Sequence, residues 1–375
     1  YRIATPTATY FVVMAVGNWK LEQEEKVGEV RIRHYLAPNT SAVMRSAISE
    51  TGRIIGFFSE KLTPYPFKEA GVLTSDNNLG FALETQTLVT LPLSWSGDNL
   101  VASTEVVAHE FAHQWFGALV TFKNHSDMFI HEGFATYLGW VYSDYRYPDL
   151  LGLRYIEDQI KDFYPTAVHG RLIRKYTKGR LMSEMLARLG YTPLTKEKLS
   201  TALDLLFPNL PAMIRADLLE KVPPEGLGRI EFITAIGKLP FDQLVFVYKN
   251  LFEVIAMTGG QTPNLTANWG VVTPPGKLGA TDNLFNWGVY SRGATTLHAL
   301  RLTISDDAFW KLVRGFLEKY KFANASNADW LEHVQSVAGS AARVLQERWL
   351  FDDMPPDFPE LGLKPSDFAL GADFK

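Results

Sequence analysis

The spacing of hydrophobic and polar positions changes along the chain, and it predicts strands near the start and helices further on. Short runs of β-branched and aromatic residues are typical of strands, whereas apolar residues recurring at every third or fourth position are typical of helices. The strand pattern occupies residues 9–16, 27–36, 71–75 and 80–91. The helical pattern begins over 41–61, where one apolar stripe contains Ile48, Ile55, Phe58 and Leu62.

Helical patterns dominate the rest of the chain. One helix is predicted over 103–117, with Ser103 or Thr104 as its N-cap and Gly117 as its end. Further helical segments are predicted at 129–138, 171–257, 288–304, 306–320, 327–338 and 340–351. Strands followed by many helices indicate an α+β fold that is mainly helical.

Composition is that of an ordinary globular protein. Of the 375 residues, 46% are hydrophobic and 21% are charged, and the formal net charge is −4. Because there is no basic field, nucleic acid is not an expected partner. No apolar run is long enough to predict a membrane span. The opening Tyr1 indicates a processed chain or a fragment.

The chain contains no cysteine, which restricts any metal site to His, Asp and Glu ligands. Absence of thiols is compatible with an exported protein and with a cytosolic one. It gives a slight preference for a soluble protein outside the cytoplasm, and the compartment stays open.

Two histidines four residues apart make the strongest chemical signal. His109 and His113 would lie on the same face of the helix predicted over 103–117, with Glu110 beside them. This His-Glu-x-x-His pattern is a zinc-metalloprotease signature. Glu132, nineteen residues after His113, completes a His₂Glu set, which is an established ligand set for one catalytic Zn²⁺ per chain. The alternative is an ordinary pair of buried or surface histidines.

The same residues suggest a hydrolytic reaction. The metal would activate a water molecule, and Glu110 is placed to take its proton as general base and later to return it as acid. Peptide hydrolysis also needs a donor for the oxyanion, and a tyrosine hydroxyl can serve. With 15 tyrosines in the chain, spacing alone does not select one.

The run His-Glu-Phe-Ala-His-Gln-Trp-Phe-Gly, followed by His-Glu-Gly-Phe-Ala-Thr-Tyr, closely resembles the aminopeptidase N and leukotriene hydrolase family of zinc metallopeptidases. Phe81-Ala-Leu-Glu-Thr-Gln resembles the family's Gly-Ala-Met-Glu-Asn motif. The resemblance implies that Glu84, with Ala82 in the same motif, binds the substrate's free α-amine. From the residues alone, Glu84 can equally be a solvent-facing side chain on an edge strand. Tyr290-Ser-Arg-Gly resembles the family's Tyr-x-Lys-Gly element and implies that Tyr290 is the oxyanion donor.

The resemblance also implies the domain organisation. A thermolysin-like, mainly helical catalytic domain with a small mixed sheet is expected over 37–165 and 265–351. Residues 1–36 would be the terminal strands of an otherwise missing N-terminal β domain. A helical insertion with its linker would occupy 166–264, and 352–375 would be an irregular tail.

Several positions depart from the family pattern. Phe81 replaces a glycine, Thr85 and His131 replace asparagines, and Arg292 replaces a lysine. The insertion separates Glu132 from Tyr290 and contains Tyr176-Thr-Lys-Gly, which also fits the Tyr-x-Lys-Gly element. Tyr290 is preferred because the residues after it match the family's continuation better.

These observations predict a zinc-dependent aminopeptidase that hydrolyses the N-terminal bond of peptides. The alternatives are a zinc endopeptidase, an epoxide hydrolase like the family's side branch, or a catalytically impaired binding scaffold. For the 171–257 segment the sequence leaves three alternatives open: a cap on the cleft that restricts peptide length, a partner-binding element, or an engineered graft.

Overall fold

The computed structural model describes residues 5–17, 19–75, 81–93, 99–148, 155–176, 195–197, 200, 212–220, 273–279 and 284–368. The chain divides into two compact units. The first unit contains Tyr1–Phe163, Pro274–Asp352 and Phe358–Gly362, and the second contains Tyr164–Thr273, Asp353–Asp357 and Leu363–Lys375. Within the described ranges, no helix combines the length and apolarity that crossing a membrane requires.

A small mixed sheet lies in the first unit. Its strands are β1 (Lys20–Val27), β2 (Val30–Leu36), β3 (Glu69–Ala70), β4 (Val72–Ser75) and β5 (Val89–Pro92). β1 and β2 form an antiparallel hairpin, whereas β2, β4 and β5 are parallel neighbours and β3 runs parallel beside β2. As predicted for 27–36, Val30, Ile32 and His34 are buried on one face.

Helices make up most of the remaining structure. They are α1 (Ala42–Ile48), α2 (Thr51–Lys61), α3 (Leu100–Ala112), α4 (Phe134–Arg146), α5 (Tyr155–Tyr176), α6 (Ala212–Glu220), α7 (Gly293–Ile304), α8 (Asp306–Lys319) and α9 (Asn327–Phe351). α9 is broken by a kink at Gly339, between the two helices predicted over 327–338 and 340–351. In the first unit, α3 contacts α1, α2 and α4, while α7 contacts α4, α8 and α9. A further parallel pair joins β6 (Val120–Phe122) to β7 (Ala323–Ala325).

Aromatic side chains fill the core between these helices. The rings of Phe116 and Phe134 stack with centroids 3.9 Å apart, and Trp330 meets Phe134 edge-on at 5.0 Å. Trp115 is fully buried, and its indole N–H donates to the carbonyl of Thr63 at 2.9 Å. Because each buried aromatic ring contributes roughly 3–5 kcal/mol against truncation to alanine, this core holds α3 and α4 firmly in place.

Two strand predictions need correction. The segment 9–16 forms no strand: Thr9–Phe11 is a 3-10 turn, and the apolar side chains from Val12 to Met14 are exposed. A strand needs a neighbour for its backbone groups, and in the described part of the chain this segment pairs with none. Conversely, β1 was not predicted because its sequence is mostly charged and carries no apolar alternation.

The helix with the two histidines begins and ends earlier than predicted. Asn99 is its N-cap and accepts from the amides of Val101 at 3.0 Å and Ala102 at 3.2 Å. Ser103 and Thr104 lie inside α3 and are buried. The chain then turns back at Gly117, where φ is +156° and a Cβ atom would lie 2.5 Å from the carbonyl oxygen of His113.

In the second unit, the described residues are helical in α5 from Tyr164 onward and in α6. The hydroxyl of Tyr164 donates to the carbonyl of Pro356 at 2.6 Å. Most of the segment predicted over 171–257 lies outside the described residues. The same holds for the side chain of Tyr176, although its backbone ends α5.

Candidate metal centre and active site

Three side chains predicted as ligands converge on one point. Nε2 of His109 lies 3.1 Å from Nε2 of His113, and Oε2 of Glu132 lies 3.2 Å and 3.4 Å from these two nitrogens. All three side chains are buried or nearly so. Within the described residues, this is a group of His and acidic side chains close enough to hold one metal ion.

Local backbone structure places these ligands. His109 occupies the last turn of α3, and His113 follows directly, with helical φ and ψ of −61° and −16°. Glu132 lies in a π-helical turn, Phe129–Gly133, immediately before α4. Such turns carry one extra residue per turn and are frequent at functional sites.

Hydrogen bonds at the far side of each ring orient the histidines. Nδ1 of His113 is 3.0 Å from the carbonyl oxygen of Phe116 and donates to it, which directs Nε2 toward the other two predicted ligands. Nδ1 of His109 is 3.5 Å from the hydroxyl of Thr136. Both Nε2 atoms therefore face each other and Oε2 of Glu132.

The triangle of ligand atoms suits zinc. For a tetrahedral ion with bonds of about 2.05 Å, ligand atoms are about 3.3 Å apart, and the three observed sides lie between 3.1 and 3.4 Å. Three ligands on one face leave a fourth position open, as in catalytic zinc sites.

The electrostatics also favour a cation. Burial works against charge on His113, but the carboxylates of Glu132, Glu84 and Glu110 raise its pKa to about 10. Burial likewise opposes ionisation of Glu132, yet His113 and His109 hold its pKa well below its usual range. The three carboxyl groups around one point thus favour positive charge there.

Glu110 has a different environment from Glu132. Its carboxyl is almost fully buried, and burial raises its pKa well above the usual value, with Glu84 and Glu132 adding to the rise. A carboxyl with a raised pKa is suited to exchange protons near neutral pH.

Tyr290 lies beside the same cluster. Its ring stacks on that of His109 with centroids 5.9 Å apart and planes 14° apart. Burial raises the pKa of its hydroxyl, with contributions from Glu132, Glu110 and Glu84, so the hydroxyl keeps its proton. Tyr290 belongs to a second π-helical turn, Gly288–Arg292, which precedes α7.

Glu84 lies at the edge of the site, on a segment that joins β5 by a backbone bridge between Leu83 and Thr90. Burial raises the pKa of the Glu84 carboxyl. The charge of His113 lowers this pKa, and the charge of Glu132 raises it further. Ala82, two residues earlier, is half-buried. The long predicted strand over 80–91 is therefore formed only in its last part, as β5.

Gln114 is a site residue that the sequence did not single out. It follows the ligand His113, its Nε2 donates to the carbonyls of Glu84 at 3.3 Å and Thr85 at 3.4 Å, and its Oε1 accepts from the amide of Thr87 at 2.9 Å. Gln114 thereby fastens the Glu84 segment to the end of the metal-binding helix. In the sequence, the only indication of this role was that Gln114 directly follows the His-Glu-x-x-His pattern.

His131 supports the site from outside the metal cluster. Its Nε2 accepts from the amide of Phe122 at 3.2 Å, and its Nδ1 is 3.4 Å from the hydroxyl of Tyr10. Burial lowers the pKa of His131 to about 3, so the ring is neutral. It joins β6 and the N-terminal segment to the turn that carries Glu132.

Fold and site together define a mainly helical protein with a small mixed sheet, a His₂Glu group spaced to hold one metal ion and a neighbouring acidic edge segment. The family model described as "Peptidase family M1 domain" matches residues 47–169 and 269–349. The chain belongs to this family, and its cofactor is zinc.

Relatives and solved structures agree with this assignment. Human aminopeptidase N is 35% identical over 153 residues, which are 38% of this chain and 16% of the relative, and aminopeptidase 2 of Candida albicans is 31% identical over 151 residues, 38% of this chain and 16% of the relative. The M1 zinc metallopeptidase of Deinococcus radiodurans matches with a TM-score of 0.52 and 20% identity, over 93% of this chain and 54% of that one. A mutant of that enzyme bound to a Tyr-Ser-Ala substrate matches with a TM-score of 0.51 and 20% identity, over 92% of this chain and 54% of that one. The chain therefore spans about a sixth of the curated relatives and about half of these structural neighbours.

Proposed function

We propose that the chain is a zinc-dependent aminopeptidase that removes the N-terminal residue from peptides. The observation that carries this proposal is the position of Glu84. Its carboxyl lies within electrostatic reach of His113 and Glu132, on a segment fastened by Gln114 beside the metal cluster. A substrate's ammonium group placed there would lie next to the metal centre, so the first peptide bond would be the bond attacked.

Zinc on His109, His113 and Glu132 would supply Lewis-acid polarisation of the scissile carbonyl and activation of water. The chain's own residues would do the rest. Glu110 takes the proton of the attacking water and delivers it to the leaving amine, a role that suits its raised pKa.

Tyr290 supplies the hydrogen bond that the carbonyl oxygen needs as negative charge develops on it. Because burial keeps the hydroxyl protonated, it is a donor over the whole working pH range. Glu84 binds the free amine as an ion pair, and burial of that pair excludes peptides whose amine is blocked.

Relatives named aminopeptidase support this proposal. Among the neighbouring structures, a mutant of the Deinococcus radiodurans enzyme is bound to a Tyr-Ser-Ala substrate. Mutants of a two-domain M1 zinc metallopeptidase are bound to L-tryptophan and to L-arginine. Short peptides and their N-terminal residues are thus the proposed substrates and products of this chain. The thermolysin-like character of the catalytic domain belongs to the same proposal.

The test compares fluorogenic aminoacyl amides with their N-acetylated forms, with and without the zinc chelator phenanthroline. We expect hydrolysis of the free-amine substrates, loss on chelation and recovery with zinc. The acetylated substrates should be cleaved at least about a hundredfold more slowly, because the buried Glu84 carboxylate would lose its partner. Equal cleavage of both forms would indicate an endopeptidase, and no cleavage of either would indicate a binding scaffold.

A further inference from the structure

The end of the first π-helical turn meets the start of α7, directly after the second π-helical turn, at a pair of glycines. A Cβ atom added to Gly293 would lie 2.8 Å from Cα of Gly133, and one added to Gly133 would lie 3.2 Å from Cα of Gly293. Both distances are shorter than ordinary van der Waals contacts, and both involve backbone atoms. The two backbones thus touch with no side chain between them.

These glycines are not required by backbone conformation. Gly133 has φ and ψ of −64° and −43°, and Gly293 has −58° and −49°, which are ordinary helical values for every residue type. The close approach of the two turns is therefore the reason that each position must lack a side chain.

This contact between the two glycines lies next to the groups proposed to react. Gly133 directly follows the ligand Glu132, and Gly293 follows Tyr290 by three residues at the start of α7. Moving the two backbones apart would therefore move the Tyr290 hydroxyl away from the metal ligands.

Packing on the far side of each turn prevents the backbone from shifting to make room for a side chain. Behind Gly133 lies the ring of Phe129, fully buried against Phe134 and Trp330. On the other side, the buried guanidinium of Arg292 donates to the carbonyl of Trp349 at 2.8 Å and to that of Asp352, at the end of α9. A side chain at 293 would thus change the distance between the two backbones itself.

We propose that Gly293, together with Gly133, is a positioning residue that sets the distance between the Tyr290 hydroxyl and the metal centre. This inference rests on the proposed function, because it acts through Tyr290. Gly293→Ala must push the turns apart by roughly half an ångström to restore van der Waals contact. A displacement of that size is at the tolerance limit of a catalytic site, so a loss of about ten- to a hundredfold in kcat is expected.

The experiment compares G293A, Y290F and Y290F/G293A with the wild type. The matched control is G56A, because Gly56 lies in α2 and a Cβ atom there has open space. Each protein is assayed for kcat and KM on a leucyl amide, zinc content and melting temperature. Calorimetry adds the affinities for a leucine phosphinic pseudodipeptide, which mimics the tetrahedral species, and for free leucine.

We expect G293A to bind one zinc and free leucine normally, to keep KM, and to lose about ten- to a hundredfold both in kcat and in phosphinate affinity. In the Y290F background the same substitution should change kcat less than about twofold, because its effect runs through the missing hydroxyl. G56A should match the wild type in kcat, KM, zinc content and both affinities, and it should melt at the same or a slightly higher temperature because alanine favours the helix. If G293A does not fold, G133A undergoes the same comparison, with F129L as its relieving partner because a Cβ at 133 would meet the Phe129 ring at 2.6 Å.

Two results would overturn the inference while leaving the proposed function intact. One is an active wild type whose kcat is unchanged by G293A, and the other is an equal loss with and without the Tyr290 hydroxyl. A wild type that cleaves no aminoacyl amide refutes the proposed function instead. The phosphinate affinities then still decide whether Gly293 acts through Tyr290.

Discussion

Replacing Glu110 by glutamine separates catalysis from folding at this site. The substitution keeps the size and shape of a side chain that is only 5% exposed, and it removes the group proposed to carry the proton. General acid–base catalysis contributes about 10²–10⁴-fold. We therefore expect kcat to fall about 10²–10⁴-fold, which corresponds to a loss of about 3–5 kcal/mol of transition-state stabilisation.

Whereas the turnover of E110Q should fall, the stability of the metal-free variant should rise. Burial, with Glu84 and Glu132, raises the folded-state pKa of Glu110 above its unfolded value. A raised carboxyl pKa stabilises the fold only at low pH, and this contribution is lost as the pH rises through the folded value. At neutral pH the neutral amide of E110Q avoids that cost, so the metal-free variant should be about 1 kcal/mol more stable and melt about 2–4 °C higher.

The assay measures turnover of an aminoacyl amide, zinc content and thermal melting on the same preparations. The expected combination is a zinc-loaded, folded and more stable protein with almost no turnover. Turnover within a few-fold of wild type at full zinc occupancy would refute the role of Glu110. A metal-free variant that melts below the wild type would refute the electrostatic argument.

Four other predictions address separate parts of the structure. Glu84→Gln should lower kcat/KM on free-amine substrates about ten- to a hundredfold and leave the slow cleavage of acetylated ones unchanged; an equal loss on both would argue against amine binding. Tyr290→Phe should lower kcat about 10²–10³-fold whereas Tyr176→Phe should not, and the opposite ranking would transfer the oxyanion role to Tyr176. Removing zinc with a chelator should lower the melting temperature by about 5–10 °C at a hundredfold excess of zinc over its Kd, and an unchanged melting temperature would show that the metal does not bind the folded chain. Burial opposes charge on Asp329, but Lys123 lowers its pKa to about 2. Asp329→Asn should therefore lower the free energy of unfolding in urea by about 1 kcal/mol at pH 7. The difference in unfolding free energy between the variant and the wild type should vanish as the pH falls from about 4 to 2.

The metal ligands were predictable because their chemistry is local. His109 and His113 lie four residues apart on one helix, so sequence spacing is also spatial spacing. Glu132 could be added because His₂Glu is a known zinc set. The structure brings these three side chains within 3.4 Å of one another, as the spacing suggested.

Other features depend on contacts between distant parts of the chain, which no local pattern encodes. The segment 9–16 has the composition of a strand but finds no partner among the described residues, whereas the charged β1 becomes a strand because β2 pairs with it. The role of Gln114 is visible only in the folded chain, where the Glu84 segment lies against it.

The sequence alone indicated the candidate groups for the proposed chemistry: two histidines, three glutamates and a tyrosine, each in a recognisable motif. Only the tertiary structure decided how closely they meet. Tyr290 stands more than 150 residues after Glu132 in the chain, and its position is set where Gly133 and Gly293 touch. Motifs record the residue types that a reaction needs, but backbone crossing distances come from the packing of whole helices.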